Sequence, residues 1–232
     1  MRTVWRTVGR PILEAALALV LAALLAECVL AAVASTGAVE PGLHAGGSRL
    51  SPPAFLLHAA GTQMGLLVVT GVLLLTRGGR VPLRIARRDL APSVLGLLVL
   101  LSINVLASWG MEELREAYLG VPEIPMGVMG VLVVAVAAGF APVAEELFFR
   151  EALLCRVFAA SPRPFAILLT SFGFGALHLG VGGPVLFLAL SGMGAVLAVV
   201  RLRTGSLGAA IVIHAANNLA ALALATSGGT SP

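Results

Sequence analysis

Six polar side chains in the C-terminal half of the sequence stand at spacings that suit joint chemistry: Glu145, Glu146, Arg150, His178, His214 and Asn218. Arg150 follows Glu146 by four residues, the interval at which side chains on one helical face meet. Glu145 points about 100° away from its neighbour, so the two carboxylates are not expected to face one spot. The spacing predicts a division of labour: Glu146 pairs with Arg150, and Glu145 stays free to face a cavity. A free, partly desolvated carboxylate suits general-base work. His214 and Asn218 are again four apart and can project together, with Asn217 a substitute on a rotated helix. An imidazole N–H and a carboxamide are both donors, able to hold a developing oxyanion away from bulk water. His178 lies one turn after Phe174. The competing structural readings are a buried ion pair between helices for the carboxylates and a plain inter-helix hydrogen bond for a single intramembrane His.

The elements that must carry these residues are helices in a bilayer. Of 232 residues, 59% are hydrophobic and 11% charged, with a mean hydropathy of +1.02. A soluble domain is about 45–50% apolar and about 25% charged. Apolar runs of about twenty residues recur from end to end, and the alternation of a membrane barrel is absent. The expected fold is all-α: a polytopic transmembrane helical bundle of about seven spans. They lie near 11–34, 54–76, 91–110, 127–149 with an extension to 160, 164–180, 184–200 and 207–226. Residues 1–126 hold three spans and a basic cytoplasmic loop, 127–226 the helical core with the chemistry, and 227–232 a short tail.

The net charge of +4 comes from fifteen Arg and no Lys. Thirteen of them, at 2, 6, 10, 77, 80, 84, 87, 88, 150, 156, 163, 201 and 203, fall on one side of the spans (twelve if Arg150 is inside the bundle). Only Arg49 and Arg115 fall on the other, beside the acidic stretch MEELREAYLGVPEIP. The basic side is cytoplasmic by the positive-inside rule. This places the N-terminus inside and the chain in the cell (plasma or inner) membrane, with the bilayer rather than nucleic acid as its partner. The first span also reads as a signal peptide ending at Ala32-Val33-Ala34, but its apolar region is long for that role and an uncleaved span is favoured. Residues 35–53 read as an external loop. Glu14, Glu27 and His58 read as interfacial or inter-helix groups. Cys28 and Cys155 carry no metal spacing or disulfide framework and read as buried packing residues.

Depth decides whether the polar groups can meet. If the fourth helix runs to Ala160, then Glu145, His178, His214 and Asn218 all lie roughly 16–23 Å above the inner end at 1.5 Å per residue. Pro142 is expected to kink that helix and open space above the glutamates.

Glu145-Glu146-x-x-x-Arg150, Phe174-x-x-x-His178 and His214-x-x-x-Asn218, with flanks EELFFRE, SFGFGALHL and RTGSLGAAIVIHAANN, resemble the CAAX protease and bacteriocin-processing (CPBP, Abi, type II CAAX prenyl endopeptidase) family of intramembrane proteases. The resemblance covers about residues 127–220. It implies that Glu145 is the catalytic base with His178 helping to activate water, that His214 and Asn218 stabilise the oxyanion, and that Glu146 and Arg150 support them. Two departures stand out: Glu151 where a Gly often follows the Arg, and Gly208 where a bulky residue is more usual.

The reading that follows is an intramembrane endopeptidase that cleaves a membrane-associated protein or peptide near its terminus. One Glu and two His also match the ligand set of a catalytic zinc, but there is no His-Glu-x-x-His motif, and a metal-free glutamate mechanism is favoured. The alternatives are a transporter or proton relay, or a non-catalytic immunity or scaffold protein.

Overall fold

The computed structural model describes residues 9–35, 52–75, 81–110 and 127–227. The external loop, the acidic stretch, the start of the basic loop and the end of the tail lie outside them. Among the described residues there is no strand, and seven helices follow one another. These are α1 (Arg10–Ser35), α2 (Pro52–Leu75), α3 (Leu90–Gly110), α4 (Val128–Ala160), α5 (Arg163–Ala176), α6 (Leu179–Thr204) and α7 (Leu207–Ser227). Four stretches are long and apolar enough to cross a membrane: Arg87–Leu106, Val128–Ala160, Leu186–Thr204 and Leu207–Leu224. Seven spans were expected, so the match is partial. The α5 helix, at 14 residues, rises only about 21 Å, short of a bilayer core of about 30 Å.

Solvation is inverted relative to a soluble domain. Leu17, Val72, Leu95, Leu188 and Val212 are more than half exposed, while Glu146 and Arg150 are wholly enclosed. In water such apolar faces would drive association; in lipid they are the solvated surface. The chain is a multi-pass membrane protein. Arg150 lies inside the bundle.

The α4 helix runs unbroken for 33 residues, which meets the condition that the depth argument set. It changes register twice: Ala135–Phe140 and Leu147–Leu153 are wound as π-helix. In the first, the Ala141 N–H donates to the carbonyl of Val136, five residues back. In that register the carbonyl of Ala137 would be served by residue 142, and Pro142 has no N–H to give. Asn218 Nδ2 donates to it instead, at 2.9 Å. The irregularity expected at Pro142 is therefore taken up by a π-turn, and the helix continues through the glutamates.

The junction of the fifth and sixth helices departs from expectation. The expected spans 164–180 and 184–200 leave a break at 181–183, but those residues lie within α6, which begins at Leu179. The turn is made by Leu177 and His178, whose N–H groups donate to the carbonyls of Gly173 and Gly175. His178 (φ −106°, ψ 3°) occupies the bridge region between helix and extended backbone. It stands at the head of a turn rather than within a span.

The start of α7 accounts for one departure from the family pattern. Gly205 ends α6 in the left-handed conformation (φ 69°), which only glycine adopts freely. Ser206 caps α7 by accepting from the N–H of Ala209 at 3.1 Å. Leu207 donates to the carbonyl of Pro82 at 2.8 Å, so the irregular segment at 81–86, part of the basic loop, lies against the helix start. A β-carbon on Gly208 would collide with the Leu83 carbonyl oxygen. A bulky residue is excluded there by the backbone of residues 82–83.

The apolar core draws on both halves of the sequence. Ala18 of α1, Leu66 and Val69 of α2 and Leu100 of α3 join Phe148, Phe149, Phe174, Leu197 and Ile213 in one buried cluster.

Candidate active site

The polar site is built on the middle of α4 and faced by α7 and α2. Glu146 and Arg150 are one turn apart, and Arg150 Nε lies 3.1 Å from Glu146 Oε2, the expected pair. Its angle falls short of a hydrogen bond, so the attraction is chiefly electrostatic. The guanidinium is also held by non-ionic partners. Nη2 donates to the Gly194 carbonyl at 3.4 Å, and the cation lies 4.9 Å from the Phe174 ring centre and 5.6 Å from that of Phe149. A buried cation needs such compensation, since removing it from water is costly.

His214 of α7 is wedged against both carboxylates. Its Nδ1 lies 2.9 Å from Glu146 Oε1 and its Nε2 lies 3.7 Å from Glu145 Oε2. This corrects the expectation that adjacent glutamates on a helix cannot serve one spot. The side chains do diverge, but an imidazole with nitrogens on both sides of its ring fits between them and reaches each. Glu146 as a carboxylate partnered by Arg150 can only accept, so Nδ1 carries the hydrogen. The Glu145 contact is different in kind. At 3.7 Å it is too long for a hydrogen bond, whereas a water held off the line between Oε2 and Nε2 would reach both.

Glu145 is not free. Gln63 of α2 donates from Nε2 to Glu145 Oε1 at 2.8 Å. The remaining named residues lie at the edge of this group. His178 Nδ1 is bonded to the Phe174 carbonyl at 3.0 Å, and its ring lies 5.4 Å from the Phe174 ring, which in turn lies 5.8 Å from that of His214. The two imidazoles thus flank one phenyl ring. Asn218 is engaged with Ala137 as described, and Asn217 accepts from Asn104 of α3 at 2.9 Å while its amide faces Met193. The structure gathers Glu145, Glu146, Arg150 and His214 into direct contact and leaves His178 and Asn218 bonded to main-chain carbonyls.

The scattered polar residues separate out. Glu151 forms an ion pair with Arg201 at 2.8 Å, binding α4 to α6 away from His214. Glu14 of α1 pairs with Arg10 and with Arg156 at 3.0 Å, and Arg156 also donates to the Leu73 carbonyl at the end of α2. Glu14 is thus the inter-helix group expected of it, while the side chains of Glu27 and His58 lie outside the described residues. Cys28 is exposed on α1 and Cys155 half-buried, so neither is the fully buried packing residue expected. A zinc centre needs three protein ligands around one point. Among the described residues no group of three or more His, Cys, Asp or Glu is placed to hold a metal ion.

Sequence reasoning missed Gln63 and Asn104, both lone amides in apolar runs. Their signal was available, because an amide within a span seeks a partner on another helix.

Fold and site define the class: a multi-pass helical membrane protein with two carboxylates, an imidazole and a guanidinium enclosed in its bundle. Residues 127–220 match the family model described as Rce1-like, type II CAAX prenyl endopeptidase. At the level of the family, the match implies a CAAX-type intramembrane protease, an endopeptidase. No curated protein and no solved structure matches the chain.

Proposed function

We propose that the chain hydrolyses a peptide bond of a membrane-associated protein or peptide, near its terminus, with Glu145 as general base. The observation that carries this reading is the state of Glu145: enclosed, tethered at Oε1 by Gln63, and separated at Oε2 from His214 by 3.7 Å. In this reading a water at Oε2 loses a proton to Glu145 with the help of His178 as its oxygen attacks the peptide carbonyl carbon. The tetrahedral oxyanion is held by N–H donors from His214 and Asn218. Because Nδ1 of His214 already donates to Glu146, donation through Nε2 belongs to the doubly protonated ring. The second amide hydrogen of Asn218 is not committed to Ala137 and serves the same oxygen. As the carbon–nitrogen bond breaks, the proton held by Glu145 passes to the departing amine, giving one new carboxyl terminus and one new amino terminus.

The substrate enters as an extended segment, since a helical backbone hides its carbonyls in its own hydrogen bonds. The seven-span arrangement with the N-terminus in the cytoplasm and the chain in the plasma or inner membrane belongs to the same proposal. It rests on the Arg distribution and the apolar runs.

The test compares the membrane proteome of cells that contain the chain, lack it, or carry Glu145→Ala or His178→Ala. New protein termini that depend on the chain and vanish in both variants, with the protein still folded, are expected. Termini that persist in both variants overturn the glutamate mechanism. Proteoliposomes that pass ions while no terminus depends on the chain overturn the protease reading.

A further inference from the structure

Gln63 lies on α2, well outside the segment that matches the family, yet it makes the one direct side-chain hydrogen bond to Glu145 among the described residues. The bond, Nε2 to Oε1 at 2.8 Å, joins residues 82 apart in sequence. Both partners are enclosed: Gln63 is 5% exposed and Glu145 6%. A carboxylate has two oxygens and turns freely about its last torsion unless one of them is held. With Oε1 occupied, the carboxylate plane is fixed and Oε2, on the His214 side, is the oxygen left to work. Chemistry of this kind loses rate steeply when a reacting group is misplaced by as little as about 1 Å.

The far end of the same amide argues against a purely structural bridge. Gln63 Oε1 is buried and has no hydrogen-bond partner among the described residues. A bridge that served only to join α2 to α4 would be expected to satisfy both ends, as the Asn104–Asn217 contact does when Asn217 turns its amide to Met193. A buried polar atom left without a partner calls for an explanation, and a place in a working site beside Glu145 is one.

We infer that Gln63 is a positioning residue for Glu145, holding Oε1 so that Oε2 faces His214. The inference rests on Glu145 acting as the base. It also makes α2, which contributes nothing to the family match, a part of the working site.

The experiment uses the full chain, purified and added to membrane vesicles from host cells lacking it, and follows the appearance of new protein termini by mass spectrometry. Gln63→Met keeps length and apolar bulk but removes the donor, and is expected to slow cleavage at least tenfold while thermal unfolding stays within a few degrees. Gln63→Glu keeps the shape and replaces the amide donor with a carboxyl that donates only when protonated. Its activity is expected to fall on the alkaline side, displacing the pH profile toward acid, a change that loss of packing would not produce. The other charged groups about Glu145, His214 from α7 and Glu146 and Arg150 from its own helix, are untouched in both variants. Should Gln63→Met fail to fold, the profile of Gln63→Glu decides alone. Cleavage within twofold of the parent in Gln63→Met, or an undisplaced profile in Gln63→Glu, overturns the inference while leaving the base in place. Full cleavage by Glu145→Ala, or none by the parent chain, overturns the base and the inference with it.

Discussion

Two clusters of buried charge sit on α4 about one and a half turns apart, and they are built to opposite ends. Lower on the helix, Glu151 closes on Arg201 at 2.8 Å, one anion against one cation on the neighbouring helix. Higher up, Glu145 and Glu146 face one guanidinium and one imidazole, and the contact between Glu145 and His214 stays open at 3.7 Å. A closed pair fastens two helices by direct contact. The open one keeps a carboxylate oxygen and a ring nitrogen turned toward each other without bonding, an arrangement that a purely structural pair would relax away. Burial of charge does not by itself mark a site; what sets the upper cluster apart is the open contact between Glu145 and His214.

Substitutions can break or sharpen this contrast. The largest effect on folding is expected from Arg150→Ala, which strands Glu146 without its cation. Removing one partner of a buried pair costs about 3–5 kcal/mol, read as a lowered unfolding temperature in detergent; a loss under about 1 kcal/mol would mean that the upper cluster is not held by its charges. Glu151→Ala should cost about 3 kcal/mol by the same mechanism, yet leave cleavage per folded molecule within about twofold, because the lower cluster only fastens. Gly208→Ala, which drives a methyl into the Leu83 carbonyl, is expected to destabilise by about 1–3 kcal/mol and would show whether the basic loop is truly packed on α7. Glu14→Ala removes a partly exposed pair with Arg156 and should change stability by at most about 1 kcal/mol.

Much of this arrangement could be read from the sequence because it follows from helical repeat and membrane length. The Glu146–Arg150 pair came directly from a four-residue spacing, and the common depth of Glu145 and His214 from residue counts along two helices. What failed had physical causes. The span bounds left a break at 181–183, but the backbone turns earlier, at Leu177–His178, where the amides reach carbonyls one turn back. The rule that adjacent side chains diverge was sound, but it ignored a ring that can sit between them. Gln63 and Asn104 escaped notice because amides were weighed only beside an ionisable group, although any amide in an apolar run needs a partner there. The register shifts of α4 leave no mark in sequence except Pro142, and Asn218, whose spacing suggested a donor into the site, is half spent on the carbonyl that the proline leaves bare.

The most direct test sets the two clusters against each other. Glu145→Gln and Glu151→Gln each remove one negative charge from α4 and nothing else, and the rate at which the purified chains generate new protein termini in membrane vesicles is compared per folded molecule. A fall of at least a hundredfold, the scale of a lost general base, is expected for the first and less than twofold for the second. Equal losses in the two, or an active Glu145→Gln protein, would contradict the account.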